Sequence, residues 1–192
     1  MNLPNKLTVA RCVLTFVFLA VLLIDFPFHY GLSLIIFAVA SLTDMLDGKI
    51  ARGRNMVTNL GKFLDPLADK TLTTAAFLGI ANELGGMDNL CWAVMIILTR
   101  EFAVTSARLL AAKEGVVIAA SMAGKLKTVM QMVSVMYMLA AMQVGAWQIV
   151  SIDVTRWLIY VGLLLVWISV AFTVVSGAQY VWNCRQYFNE NK

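Results

Sequence analysis

Asp44-Met45-Leu46-Asp47-Gly48-Lys49-Ile50-Ala51-Arg52 and Gly61-Lys62-Phe63-Leu64-Asp65-Pro66-Leu67-Ala68-Asp69 decide how this chain is read. They place four aspartates beside apolar runs long enough to enter a bilayer. A carboxylate there is costly and needs a reason. Asp44 and Asp47 are three residues apart, and Asp65 and Asp69 are four apart. On a helix, each spacing puts both side chains on one face. Two such faces brought together form a cluster of four carboxylates, suited to divalent cations that are also bound to phosphates.

The rest of the chain agrees with a membrane setting. Only 14% of its 192 residues are charged, against about 25% in average globular chains. Its mean hydropathy is +0.79. Several apolar runs reach the roughly 20 residues that cross a bilayer as a helix. The expected fold is all-α: one integral membrane domain, residues 1–192, with six spans at about Leu7–Ile24, Tyr30–Ile50, Phe63–Leu84, Leu90–Leu110, Thr128–Val150 and Trp157–Tyr180. Asp25-Phe26-Pro27-Phe28 and Asn82-Glu83-Leu84-Gly85-Gly86 punctuate the first and third connections. Arg11 in the first run, with no small-residue cleavage site, argues against a removable signal peptide.

Loop charge orients the bundle. Lys49, Arg52, Arg54 and Lys62 lie in the second connection, and Arg108, Lys113, Lys125 and Lys127 around the fourth. Lys6, Arg185 and Lys192 lie at the termini. The opposite connections hold Arg156 as their one basic residue, with Asp25, Glu83, Asp88 and Asp153. Both termini and the four aspartates are therefore expected on the cytoplasmic side. The net charge of +4 follows from this bias and does not point to nucleic acid. Asp44 precedes Arg52 by roughly 12 Å of helix rise, which sets the site slightly below headgroup level and open to the cytosol.

Asp44, Asp47, Gly48 and Ala51 share one face of the second span, with Arg52 at its edge. Glycine and alanine let a ligand approach the backbone, and the arginine fork suits a phosphate. Gly61, Asp65 and Asp69 repeat the spacing on the third span. Pro66 fits best in that helix's first turn. The competing reading of each aspartate alone is a helix cap or a solvated side chain. For the set, it is a cation pathway lined by acids. Such a pathway places ionisable groups near the midplane on broken helices, whereas these cluster at one surface beside bases.

Other features read as structural. Cys12, Cys91 and Cys184 are far apart and form no CxxC pair. His29 sits in a short connection, as a solvated or interfacial side chain. Met130, Met132, Met136, Met138 and Met142 read as packing and lipid-facing residues. Trp147, Trp157 and Trp182 read as interfacial belt residues. Arg100 lies inside a span and is expected to pair with Glu101 or with an acid of a neighbouring helix.

The pattern Asp44-x2-Asp47-Gly48-x2-Ala51-Arg52-x8-Gly61-x3-Asp65-x3-Asp69 resembles the signature of the CDP-alcohol phosphotransferase family. It matches at all eight specified residues over 26 positions. Pro4-Asn5-Lys6-Leu7-Thr8-Val9-Ala10-Arg11, Arg100 to Arg108 and Gly124 to Gln131 are similar to the bacterial phosphatidylglycerophosphate synthase branch of that family. The resemblance implies a six-helix, homodimeric enzyme of a bacterial cytoplasmic membrane. It would convert CDP-diacylglycerol and sn-glycerol 3-phosphate to phosphatidylglycerol phosphate and CMP, using magnesium or manganese. It implies a two-metal site at Asp44, Asp47, Asp65 and Asp69, with Asp69 also taking the proton of the attacking hydroxyl. It further implies a CDP pocket at Gly48, Ala51, Arg52 and Gly61, with Asn5 and Thr8 beside it. Arg108, Lys125, Lys127 and Arg100 are the candidate partners of the acceptor's phosphate. The signature leaves serine, inositol phosphate or a second lipid open as acceptor. From other classes, a divalent-cation transporter and a non-catalytic lipid-binding subunit are the rivals.

Overall fold

The computed structural model describes the backbone of residues 3–54, 59–85, 89–113 and 122–184. Within these helices, the side chains at 3–7, 44–54, 59–67, 69, 109–110, 112–113, 123 and 183–184 lie outside the described residues. Six α-helices follow one another, and no strand occurs among the described residues: α1 (Leu3–Leu23), α2 (His29–Arg54), α3 (Asn59–Glu83), α4 (Leu90–Lys113), α5 (Met122–Ala146) and α6 (Ile152–Cys184). Apolar runs longer than 20 residues bury every backbone group in their own helical ladder, the form a lipid environment requires.

Among the described residues, three helices carry apolar stretches long enough to cross a membrane: Leu90–Arg108 in α4, Gly124–Ala146 in α5 and Ile152–Trp182 in α6. Within the described residues, α1 and α2 contribute the apolar stretches Thr8–Leu23 and His29–Thr43. α6 has 33 residues, about 50 Å at 1.5 Å per residue. It therefore outruns the hydrocarbon thickness and the Trp157–Tyr180 span expected for it.

α1 packs on α2 and α3, α5 packs on α6 and α2, and α4 packs on α6. Phe18, Leu22, Phe37, Phe77, Ile80, Leu90, Met138 and Leu139 fill the seam between them. The Phe18 and Phe37 rings meet at 5.8 Å. Gly79 permits the approach of α3 to α1: a Cβ there would lie 2.5 Å from Leu22 Cδ2. Buried hydroxyls on α6 bond back to their own helix, Ser169 to the Val166 carbonyl (2.7 Å) and Thr173 to that of Ser169 (2.7 Å). Phe16, Trp92, Phe102 and Trp157 stand exposed, as lipid-facing side chains do. Met138 and Met142 are core residues, and Trp147, Trp157 and Trp182 are exposed near helix ends, as expected of them.

The end of the bundle opposite the aspartate motif is held by polar clamps. Gln143 of α5 accepts from the Gly31 amide (2.6 Å) and donates to the Pro27 carbonyl (3.2 Å). It thereby satisfies a first-turn amide that α2 cannot satisfy itself. Tyr30 donates to Glu83 at 2.7 Å. Gln143→Leu leaves the buried Gly31 amide unpaired, at about 1–3 kcal/mol. A fall in the melting temperature of the detergent-solubilised protein, with KM values unchanged, is the expected result.

Two sequence expectations are corrected. His29 is not solvated. It opens α2 at 8% exposure, with Nδ1 2.6 Å from the Phe26 carbonyl oxygen and its ring 3.8 Å from that of Tyr30. The turn at Pro27 folds the imidazole inward. Pro66 is not in the first turn of its helix, because α3 begins at Asn59 and makes it the eighth residue. A proline has no N–H to give the Lys62 carbonyl, and the helix continues through it.

Candidate functional site

The aspartate motif occupies the C-terminal part of α2, from Asp44 on, and the first half of α3. Four residues separate Arg54 from Asn59, so these two helix ends lie at the same end of the bundle. Asp44, Asp47, Gly48, Ala51 and Arg52 are helical in α2, and Gly61, Asp65 and Asp69 in α3. The side chains of all eight, and that of Asn5 in α1, lie outside the described residues. Thr8 is described and is buried at 1% exposure on α1, with Arg11 one turn further at 3%. Ala68, between Pro66 and Asp69, is fully buried. It anchors the inner face of α3 next to the motif.

The candidate acceptor residues separate into two groups. Arg100 and Lys127 converge on one carboxylate. Arg100 Nη1 is 3.1 Å from Glu101 Oε1, and Lys127 Nζ is bonded to the same oxygen. The expected pairing of Arg100 with Glu101 is thus observed. Its other terminal nitrogen donates to Ser176 of α6 at 3.0 Å. Gly177 makes that reach possible, since a Cβ there would lie 2.6 Å from Arg100 Cγ. Arg108 and Lys125 are exposed. The Arg108 guanidinium sits 5.9 Å from the ring centroid of the buried Tyr180, within cation–π range.

The cage around Glu101 gains a third cation that the sequence reading does not single out. Lys70 of α3 extends to α4, where its amine bonds Thr105 Oγ1 and lies 3.5 Å from the Glu101 carbonyl oxygen. Thr105 Oγ1 in turn donates to that same carbonyl at 2.7 Å. α3, α4, α5 and α6 therefore meet at one polar node inside a candidate membrane span. In sequence, the signal for it was a lysine directly after Asp69 and an Arg-Glu pair in an apolar helix. Which helices those charges join depends on packing.

Four carboxylates on two helices are a hard-oxygen donor set that matches magnesium or manganese. Thiolate and imidazole ligands, which would favour softer metals, are missing from the motif.

The chain matches the family model described as CDP-alcohol phosphatidyltransferase over residues 1–175. It is 40% identical over 192 residues to a CDP-diacylglycerol–glycerol-3-phosphate 3-phosphatidyltransferase of Bacillus subtilis (strain 168), covering 93% of each chain. A protein of the same name from Rickettsia bellii (strain RML369-C) is 34% identical over 187 residues, 97% of each chain. One from Salmonella paratyphi A (strain ATCC 9150 / SARB42) is 30% identical over 186 residues, 94% of this chain and 93% of the other.

Proposed function

The chain belongs to the CDP-alcohol phosphatidyltransferase family, and from that premise we propose that it transfers the phosphatidyl group of CDP-diacylglycerol to sn-glycerol 3-phosphate in phospholipid biosynthesis. The observation that carries this reading is the complete eight-residue motif from Asp44 to Asp69, in a chain similar over nearly its whole length to transferases of that name. The reaction is carried out by one domain of six membrane-crossing helices, working as a homodimer in a bacterial cytoplasmic membrane. Its motif end faces the cytosol, where a lipid and a water-soluble acceptor can meet.

Asp44, Asp47, Asp65 and Asp69 would hold two divalent cations, magnesium or manganese. Such cations, bound there, would supply Lewis-acid stabilisation of the charge that develops on the diphosphate oxygens. Arg52 donates to the diphosphate. Gly48, Ala51 and Gly61 leave room for the cytidine end, with Asn5 and Thr8 beside it. Asp69 accepts the proton of the glycerol hydroxyl as the oxygen attacks the phosphorus that carries diacylglycerol. The new P–O bond forms, the bond to CMP breaks and CMP leaves. Arg108 and Lys125, with Arg100 and Lys127 deeper in the bundle, supply the positive charge that a dianionic acceptor requires. Loading the enzyme with EDTA is expected to abolish CMP release, and added magnesium or manganese to restore it.

The test is CMP release by purified enzyme from CDP-diacylglycerol with sn-glycerol 3-phosphate, serine, inositol phosphate or a lipid alcohol offered in turn. Turnover with glycerol 3-phosphate should exceed that with every other acceptor by at least about tenfold. Equal or faster turnover with serine refutes the choice of acceptor.

A further inference from the structure

Lys70 directly follows Asp69 on α3, and its side chain leaves that helix for α4. There the amine donates to Thr105 Oγ1 and lies 3.5 Å from the Glu101 carbonyl oxygen. Thr105 Oγ1 donates to that same carbonyl at 2.7 Å, so the hydroxyl that receives the lysine is itself held by α4. The amine also lies 6.0 Å from the ring centroid of Phe102. One side chain of α3 is thus gripped by three residues within about one turn of α4.

Further anchors of α3 lie toward its other end. Phe77 and Ile80 enter the apolar seam, Gly79 packs on Leu22 of α1, and Glu83 accepts the hydrogen bond of Tyr30 from α2. From Lys70 to Glu83 the helix rises about 20 Å. Apolar packing is non-directional and tolerates a small turn or slide of the helix. The bond from Lys70 to Thr105 is directional and sits one residue from Asp69. Successive helical residues are about 100° apart around the axis, so fixing the rotation of α3 at Lys70 also fixes it at Asp69. A general base must stand within hydrogen-bond reach of its proton, and a misplacement of about 1 Å costs on the order of 100-fold in rate.

We propose that Lys70 and Thr105 are positioning residues of the transfer reaction: their bond between α3 and α4 holds Asp69 where it can take the acceptor's proton. This rests on the assignment of Asp69 as the base. The rival roles of the same bond are substrate binding by the lysine and helix packing alone.

Initial rates of the purified full-length enzyme in mixed micelles, with CDP-diacylglycerol and the acceptor varied in turn, separate these roles. Melting temperatures are taken on the same preparations. Thr105→Val keeps the amine and its charge and removes the hydroxyl. It should lower kcat about tenfold and leave both KM values within about twofold. Thr105→Ser, which restores the hydroxyl, should bring kcat back to within about threefold of wild type. Lys70→Met should lower kcat at least as far as Thr105→Val. In an Asp69→Asn background, Thr105→Val should change the residual rate by less than about twofold, because the tether then has no base to place. An unchanged kcat in Thr105→Val overturns the proposal, whether or not the melting temperature falls. So does a loss that appears as a raised KM, or one that persists in full on Asp69→Asn. If Thr105→Val does not fold, Lys70→Met alone and on Asp69→Asn decides by the same criteria. An Asp69→Asn enzyme as fast as wild type would instead remove the base on which the proposal rests.

Discussion

Asp69→Asn lowers acceptor-dependent CMP release by about 10²–10⁴-fold, the usual range for losing a general base. The substitution keeps the shape of the side chain and one coordinating oxygen, but removes the site that accepts a proton. Asp69 sits in the continuous helix α3, between the buried Ala68 and the anchored Lys70, so the local backbone is held by its neighbours. The melting temperature in detergent should therefore stay close to wild type while the rate collapses. Steady-state CMP release and a melting curve on the same preparation check this. A rate within tenfold of wild type would remove Asp69 from the proton-transfer role and leave it as one cation ligand among four.

Glu101→Leu is expected to cost the fold itself. Among the described residues, Glu101 is the carboxylate that Arg100 of α4 and Lys127 of α5 share, and Lys70 of α3 reaches its backbone carbonyl. Replacing it with a leucine removes the carboxylate that Arg100 and Lys127 share in a partly buried site. Breaking a buried ion pair from one side costs about 3–5 kcal/mol. Most small domains have only about 5–15 kcal/mol in total. The expected result is a large drop in folded yield and melting temperature. Glu101→Gln should fold better, because its amide oxygen still accepts from Lys127 or Arg100. If Glu101→Leu melts like wild type, the node does not hold the helices together.

The helices were legible because a membrane imposes one solution on a long apolar run. Leu90–Arg108 and Ile152–Trp182 announce themselves by composition alone. Their ends were less legible. α6 continues to Cys184, and α3 starts seven residues before Pro66; helix ends are set by solvation and local capping rather than by apolar length. His29 was misjudged because its burial comes from the turn at Pro27 and from contact with Tyr30, neither of which leaves a periodic trace.

The aspartate motif was readable for a different reason. Carboxylates are rare in such a chain, and their spacing alone shows which of them share a helix face. The Glu101 node was readable only in part. Arg100 beside Glu101 was visible as a pair. The arrival of Lys127 from 26 residues away and of Lys70 from 31 residues away is a matter of tertiary packing. Pairs between helices carry no fixed spacing, so no sequence pattern could have assigned them.

The central claim is that the four-aspartate end of this bundle joins a CDP-lipid to glycerol phosphate. Its most direct measurement supplies isotope-labelled sn-glycerol 3-phosphate and CDP-diacylglycerol to the purified enzyme in vesicles with magnesium or manganese, and follows CMP and labelled lipid together. The account predicts phosphatidylglycerol phosphate carrying the label, formed one for one with CMP. Divalent-cation flux into the vesicles without any CDP-lipid, and no label entering lipid, would contradict it.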